Sequence, residues 1–232
     1  MANKYLYKYK KIETVLDLTR ILDIIQKKEI YLPRYHELND PFESHLNYIE
    51  TADAGSSILK SAGLRREYID ILFNKYGILS LTTNCRNPVM WTMYTDYYNG
   101  ICIGFEGLDN ASKIEYRNEE EGVKYVKSNE IEENEDKLIE TLMVKYAIWS
   151  YEDEYRVISK EKFFNVKNNI KFIIIGSRID DKIKKILCDE CKKENIEVYE
   201  TYISYSNGKI IIKKYGFQYE FDGSTIEDDL KD

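Results

Sequence analysis

The run "IKFIIIG", residues 170–176, holds the longest uninterrupted apolar core of the chain. It is far shorter than the roughly 18 apolar residues a membrane span needs. Its consecutive isoleucines suit a central strand buried on both faces. The next segment, "DDKIKKILCDECKKEN" (residues 180–195), spaces its apolar residues as an amphipathic helix, which predicts a cover for that strand. "EVYETYISY" and "KIIIKKY" then alternate as two strands, and Ser206-Asn207-Gly208 between them suits a hairpin turn.

Working back toward the start, "ICIGFE" (residues 101–106), "KIEYR" (113–117) and "GVKYV" (122–126) read as further strands. "GILSLTT" (77–83) reads as a buried strand, and Pro88 opens a helix over "PVMWTMYTDYY". Asn99-Gly100 reads as a turn. "KYLYKYK" opens the chain as a short strand, with Leu6 on one face and Tyr5, Tyr7 and Tyr9 on the other. "TVLDLTRILDIIQKKE" follows as a helix with Val15, Leu18, Ile21, Leu22 and Ile25 at helical spacing and Thr14 as its N-cap. "EIYLP" is a short strand ended by Pro33, and "YHELNDPFESH" is a loop. Residues 56–75 read as helical, residues 119–140 as an acidic solvated stretch, and residues 222–232 as a polar tail.

Regular strand-helix-strand alternation is absent from this order. The expectation is one α+β domain over residues 1–232, with its core in about 5–221. Its sheet is mainly antiparallel, or two small packed sheets, with flanking helices. Phosphate-cradling glycine motifs of the Rossmann and P-loop kinds are missing from the sequence.

A net charge of −7 argues against broad, sequence-independent nucleic-acid binding, which needs a dense basic surface. The chain has 21 Tyr against 8 Phe and 2 Trp, so tyrosine must supply much of the aromatic packing. No secretory start and no membrane span is legible, which leads us to expect a cytoplasmic protein with reduced thiols at Cys85, Cys102, Cys188 and Cys191. "CDEC" lacks the second ligand pair that zinc wants, so no metal is expected there.

Three constellations carry chemistry. In "WSYEDEYR" (residues 149–156), an extended backbone would place Glu152, Glu154 and Arg156 on one face, with carboxylates roughly 7 Å apart. Such a pair can stabilise positive charge and handle a proton. A solvated charge ladder, or an i,i+4 pair of Glu152 with Arg156 on a helix, fits the same letters. In "NDPFE", Asn39, Asp40 and Glu43 on a proline-stiffened loop could hold a ligand or cap a helix, with His36 and His45 beside them. Ser80 and Thr82 share a strand face. Trp91 and Tyr94 lie three apart on the predicted helix, where they either meet a planar polar ligand or pack the core.

Taken in order, "LYKY", "NDPFE", "LSLT", "MWTMYTDYYNGICIGF", "KYAIWSYEDEYR" and "IIIG" resemble a bacterial family of unknown function, over about residues 5–190. More distantly they resemble the ADP-ribosyltransferase fold, especially its DNA-modifying toxins. That resemblance implies a cytosolic toxin or phage-defence effector that uses NAD as substrate and passes ADP-ribose to a protein or nucleic acid, or to water. It implies Glu154 as the acid that stabilises an oxocarbenium-like transition state and Glu152 as the group that orients the acceptor. It implies NAD contacts from Lys8 or Tyr9, Ser80, Thr82, Trp91 and Tyr94. A near-isosteric Glu154→Gln change is then expected to abolish activity with little loss of stability. Two other expectations stand beside it: a non-enzymatic binding module, and a hydrolase that uses Asp40, Glu43, Glu152 and Glu154 around a divalent metal.

Overall fold

A computed structural model describes residues 5–40, 48–49, 70–118, 126–127, 135–204 and 208–216. The fold is α+β with a mostly antiparallel sheet. The chain forms two compact units: residues 1–30, 81–109 and 165–232 make the first, residues 31–80 and 110–164 the second.

The first unit holds strands β1 (Tyr5–Lys11), β5 (Gly100–Glu106), β12 (Ile170–Ile175), β13 (Glu197–Ser204) and β14 (Lys209–Lys214) in the order β14-β13-β12-β5-β1. β12 is central, as its isoleucine run predicts, and Phe172 to Ile175 are all buried. β13 and β14 pair antiparallel as the predicted hairpin; its turn residues 205–207 lie outside the described ones. β12 pairs antiparallel with β5 but parallel with β13. A parallel neighbour requires a crossover, and the helix after β12 supplies it.

Helices α1 (Val15–Lys27) and α4 (Asp181–Lys193) pack together, tied by Gln26–Glu190 at 3.0 Å and Lys28–Glu194 at 3.0 Å. (Among the described residues, the α-helices between them are α2, Pro88–Tyr94, and α3, Glu135–Leu142.) Thr14 caps α1 as expected, with Asp17 completing the capping box. The predicted apolar stripe is corrected in one respect. Ile21, Ile24 and Ile25 are buried, whereas Val15 in the first turn is exposed.

Tyrosine does supply the packing. Tyr5, Tyr7 and Tyr199 surround the Phe172 ring at 5.1, 6.2 and 5.4 Å. The row exists because Gly104 stands opposite both Tyr7 and Phe172: a Cβ there would lie 2.3 Å from the Phe172 ring. Between α2 and β5, Asp96, Tyr97 and Tyr98 are all left-handed, so the turn comes before the Asn99-Gly100 pair that the sequence suggests. Such residues cost about 1 kcal/mol or more each. Hydrogen bonds Tyr97 N–Thr92 O and Tyr98 N–Trp91 O hold them, and Tyr98 stacks on Trp91 at 5.6 Å.

In the second unit, β4 (Gly77–Thr82), β10 (Glu154–Ser159) and β6 (Ser112–Lys113) lie in that order; the chain leaves this unit within β4. β7 (Glu115–Arg117) pairs parallel with β9 (Val144–Tyr146), and β3 (Tyr48–Ile49) with β8 (Val126–Lys127). "KIEYR" is thus two strand fragments, β6 and β7, rather than one. Tyr35, Phe73, Tyr76, Ile78, Leu138 and Leu142 form one apolar core cluster of this unit. Residues 56–69, most of 119–134 and the tail lie outside the described residues. Among the described residues, no helix is long and apolar enough to cross a membrane.

Gly176, which ends β12, accepts the chain at its closest approach: a Cβ would stand 2.2 Å from Tyr98 O. Gly176→Ala is expected to cost about 3 kcal/mol by overpacking against rigid backbone. Urea unfolding measures it, and an unchanged midpoint would refute the close contact.

Candidate functional site

The stretch 149–156 is not a single strand. Residues Ala147–Glu152 wind into a 3-10 turn, Asp153 takes a left-handed φ of 41°, and β10 starts only at Glu154. The turn closes through Asp153 N to Ser150 O, and the Asp153 carboxylate reaches Lys113 at 2.6 Å. The expectation of one extended face is therefore corrected. Glu154 and Arg156 are alternate residues of one strand, while Glu152 arrives from the turn. The three still converge.

They converge in the interior. Glu152 is 4% exposed, Glu154 2% and Arg156 1%, which removes the solvated-ladder reading. Arg156 grips Glu154 with two nitrogens: Nε to Oε1 at 2.7 Å and Nη2 to Oε2 at 3.1 Å. Its third nitrogen, Nη1, donates to the carbonyl of Leu142. Lys145, itself 6% exposed, bridges the two acids, donating to Glu152 Oε2 and, at 3.1 Å, to Glu154 Oε2. Ser80 adds a hydrogen bond to Glu154. Two cations thus answer two anions, as burial of charge requires.

The electrostatics follow from this wiring. Burial alone would raise the Glu154 carboxyl. The charges of Arg156 and Lys145, with hydrogen bonds from Arg156 and Ser80, outweigh it and bring the carboxyl down from 4.5 to about 2. Glu154 is a fixed negative charge at any physiological pH. Burial, with the charges of Glu154 and Glu152, pushes the Tyr116 phenol up to about 12. Its oxygen accepts the Glu154 backbone N–H at 2.8 Å. Tyr151 is raised too, first by burial, then by Glu152, with Asp40 contributing. Both phenols therefore keep their protons. Half-buried Trp149 lies with its ring 5.0 Å from Lys145 Nζ and 6.0 Å from Tyr151. Among the described residues the arrangement joins two carboxylates and two cations, edged by three aromatic rings. Chemically it can oppose developing positive charge without any proton leaving the protein.

Of the residues singled out from sequence, Glu152, Glu154, Arg156 and Ser80 come together here. Asp40 is buried and its charge reaches Tyr151; Asn39 beside it is exposed. Glu43 and His45 lie outside the described residues. Lys8, Tyr9, Thr82, Trp91 and Tyr94 belong to the first unit. Tyr9 is buried, donates to Asn84 O at 2.8 Å and meets Trp91 edge-on at 5.2 Å. Trp91 is wholly buried with its indole N–H on Cys85 O at 2.7 Å, and Thr82 Oγ1 accepts from Asn84 N at 3.2 Å. Their geometry is that of core packing. Lys8 and Tyr94 are half-buried. Among the described residues, no three His, Cys, Asp or Glu side chains group as metal ligands would.

Sequence reasoning missed Lys145 and Tyr116. Lys145 had a signal: it is the lone cation inside "LMVKYAIW", where a charge must be answered by a buried acid. Tyr116 had none, because its part in the cluster depends on the β7–β9 pairing. The chain matches no known family, no curated protein and no solved structure.

The cluster has a consequence for stability. A depressed carboxyl stabilises the fold above its unfolded value of 4.5, and that contribution is lost as pH falls toward about 2. Urea unfolding across that window is expected to show a loss of roughly 3 kcal/mol from this group. Glu154→Gln is expected to lose about 3 kcal/mol near neutral pH, because it leaves buried cations underbalanced, and to flatten the acid limb. This corrects the expectation of an isosteric, tolerated change. An acid limb that persists in the variant would rule Glu154 out as its source.

Proposed function

We propose that the protein is an NAD-using ADP-ribosyltransferase or NAD glycohydrolase, with its fold of the ADP-ribosyltransferase type and Glu154 at the reacting centre. The observation that carries this reading is the charge state of Glu154, held ionised by Arg156 and Lys145 beside the rings of Trp149 and Tyr151. Cleavage of the nicotinamide–ribose bond leaves positive charge on the ribose and releases neutral nicotinamide. A carboxylate that never protonates is suited to stabilising that charge. On this reading Glu152, which shares Lys145 with it, orients the incoming nucleophile, whether water or a macromolecular acceptor. Half-buried aromatics supply flat faces for a planar ring. An effector role, as toxin or phage-defence protein, is part of this proposal and is what the resemblance to the ADP-ribosyltransferase fold implies.

A second reading has its own observation. Both carboxylates are buried and answered by cations of the same unit. On that reading the cluster is a structural brace, and the chain is a binding module without catalysis.

The two separate experimentally. Purified protein is incubated with NAD, alone and with DNA, RNA and lysate protein as acceptors, while nicotinamide release and the NAD-induced thermal shift are followed. Release that falls at least about tenfold in Trp149→Ala, with melting close to the parent, supports the enzyme; its half-buried ring makes this variant cleaner than Glu154→Gln. No release and no thermal shift with NAD refutes it and leaves the brace. Growth arrest on expression, relieved by the same change, supports the effector role.

A further inference from the structure

A cleft of about 360 Å3 opens in the first unit, where β12 ends and α4 begins. It is lined by Ser177, Arg178, Lys184, Glu200 and Tyr202, among others. The strands that frame it, β12 and β13, are the parallel pair joined through α4. Ligands of α/β crossovers commonly gather outside the carboxyl ends of such strands.

The side chains in it are unevenly satisfied. Lys184 is committed to Glu200 at 2.8 Å, and Tyr202 donates to the other Glu200 oxygen at 3.0 Å. Lys213 stands opposite Glu200 in the β13–β14 register. Glu200 is therefore already surrounded by donors. Asp181, the other acid near Lys184, is 98% exposed and 3.8 Å away. Asp180 caps the helix through Lys182 N at 2.9 Å. In contrast, the Arg178 guanidinium makes no ion pair or hydrogen bond among the described residues, and neither does the Ser177 hydroxyl. Only the Arg178 backbone is held, by Tyr98 O at 3.2 Å. The cleft thus offers a guanidinium fork and a hydroxyl that make no hydrogen bond or ion pair among the described residues, next to a lysine that Glu200 holds at 2.8 Å and Asp181 approaches at 3.8 Å.

We propose that this cleft binds the phosphate group of a small phosphorylated ligand. Phosphate fits because a planar guanidinium fork engages it with two parallel hydrogen bonds, while Ser177 and Lys184 supply donors from other directions. The proposal is independent of the acid cluster and of NAD chemistry at it, and stands if that reading fails.

The test uses the full chain, isotopically labelled, titrated with inorganic phosphate, adenosine monophosphate and acetate while amide resonances are followed. Saturable shifts centred on Ser177 and Arg178 are expected with phosphate. Tighter binding of the nucleotide identifies a nucleotide as the source, and equal binding identifies the phosphate group alone; both support the site. Arg178→Glu is expected to weaken binding at least about tenfold, the scale of one charge-assisted hydrogen bond. It should melt as the parent does, because the side chain is exposed and makes no hydrogen bond or ion pair among the described residues. Arg20→Glu, at an exposed residue of α1 that does not line the cleft, makes the same change in net charge and is expected to leave binding unchanged. Absence of saturable shifts, acetate binding as tightly as phosphate, or equal weakening by Arg20→Glu would each overturn the proposal.

Discussion

A carboxylate taken out of water must be met by cations, and the second unit is arranged around that requirement at Glu154. Arg156 reaches it from the same strand, Lys145 from β9, and the Tyr116 hydroxyl from β7 takes its backbone N–H. Arg156 also holds the carbonyl of Leu142, at the end of α3. Leu142 is itself a member of the apolar core with Tyr35, Phe73 and Leu138. The ion cluster and the hydrophobic core therefore meet at one residue. Removing any one charge leaves the others buried and uncompensated, which is why the cluster constrains the path from α3 through β9 and the 3-10 turn into β10.

The first unit depends on a different constraint, close approach of backbone and ring. Gly104 makes room for Phe172, and the tyrosines of β1 and β13 close around that ring. Gly176 makes room for Tyr98 O, which fixes where the segment Ser177–Arg178 emerges beside the start of α4. Three left-handed residues in a row are sustained because Trp91, stacked on Tyr98, is anchored by its indole N–H. The cleft beside Arg178 is a product of this packing, not of any motif.

Much of the first unit was legible because its signals are local. An isoleucine run, a capping threonine and alternating hairpin strands each report their own conformation within a few residues. The limits were also physical. Period-two spacing in "EDEYR" looked like one strand face, yet a left-handed Asp153 breaks the strand, and aspartate is among the few residues that adopt that conformation readily. The letters that also fit a solvated charge ladder are the same ones that, with Lys145, make a buried ion cluster. Only the pairing of β7 with β9 brings Lys145 and Tyr116 to them.

From its letters alone, this chain determined the central strand β12, the helices α1 and α4 and the β13–β14 strand pair, that tyrosine would carry the aromatic packing, and that Glu152, Glu154 and Arg156 belong together. The tertiary structure decided that these charges are buried, that Lys145 joins them, and that the Arg178 guanidinium makes no hydrogen bond or ion pair among the described residues. The reason lies in range. Conformational preference acts over a few neighbouring residues, whereas burial and charge compensation are set by segments far apart in sequence that meet only once the strands have paired.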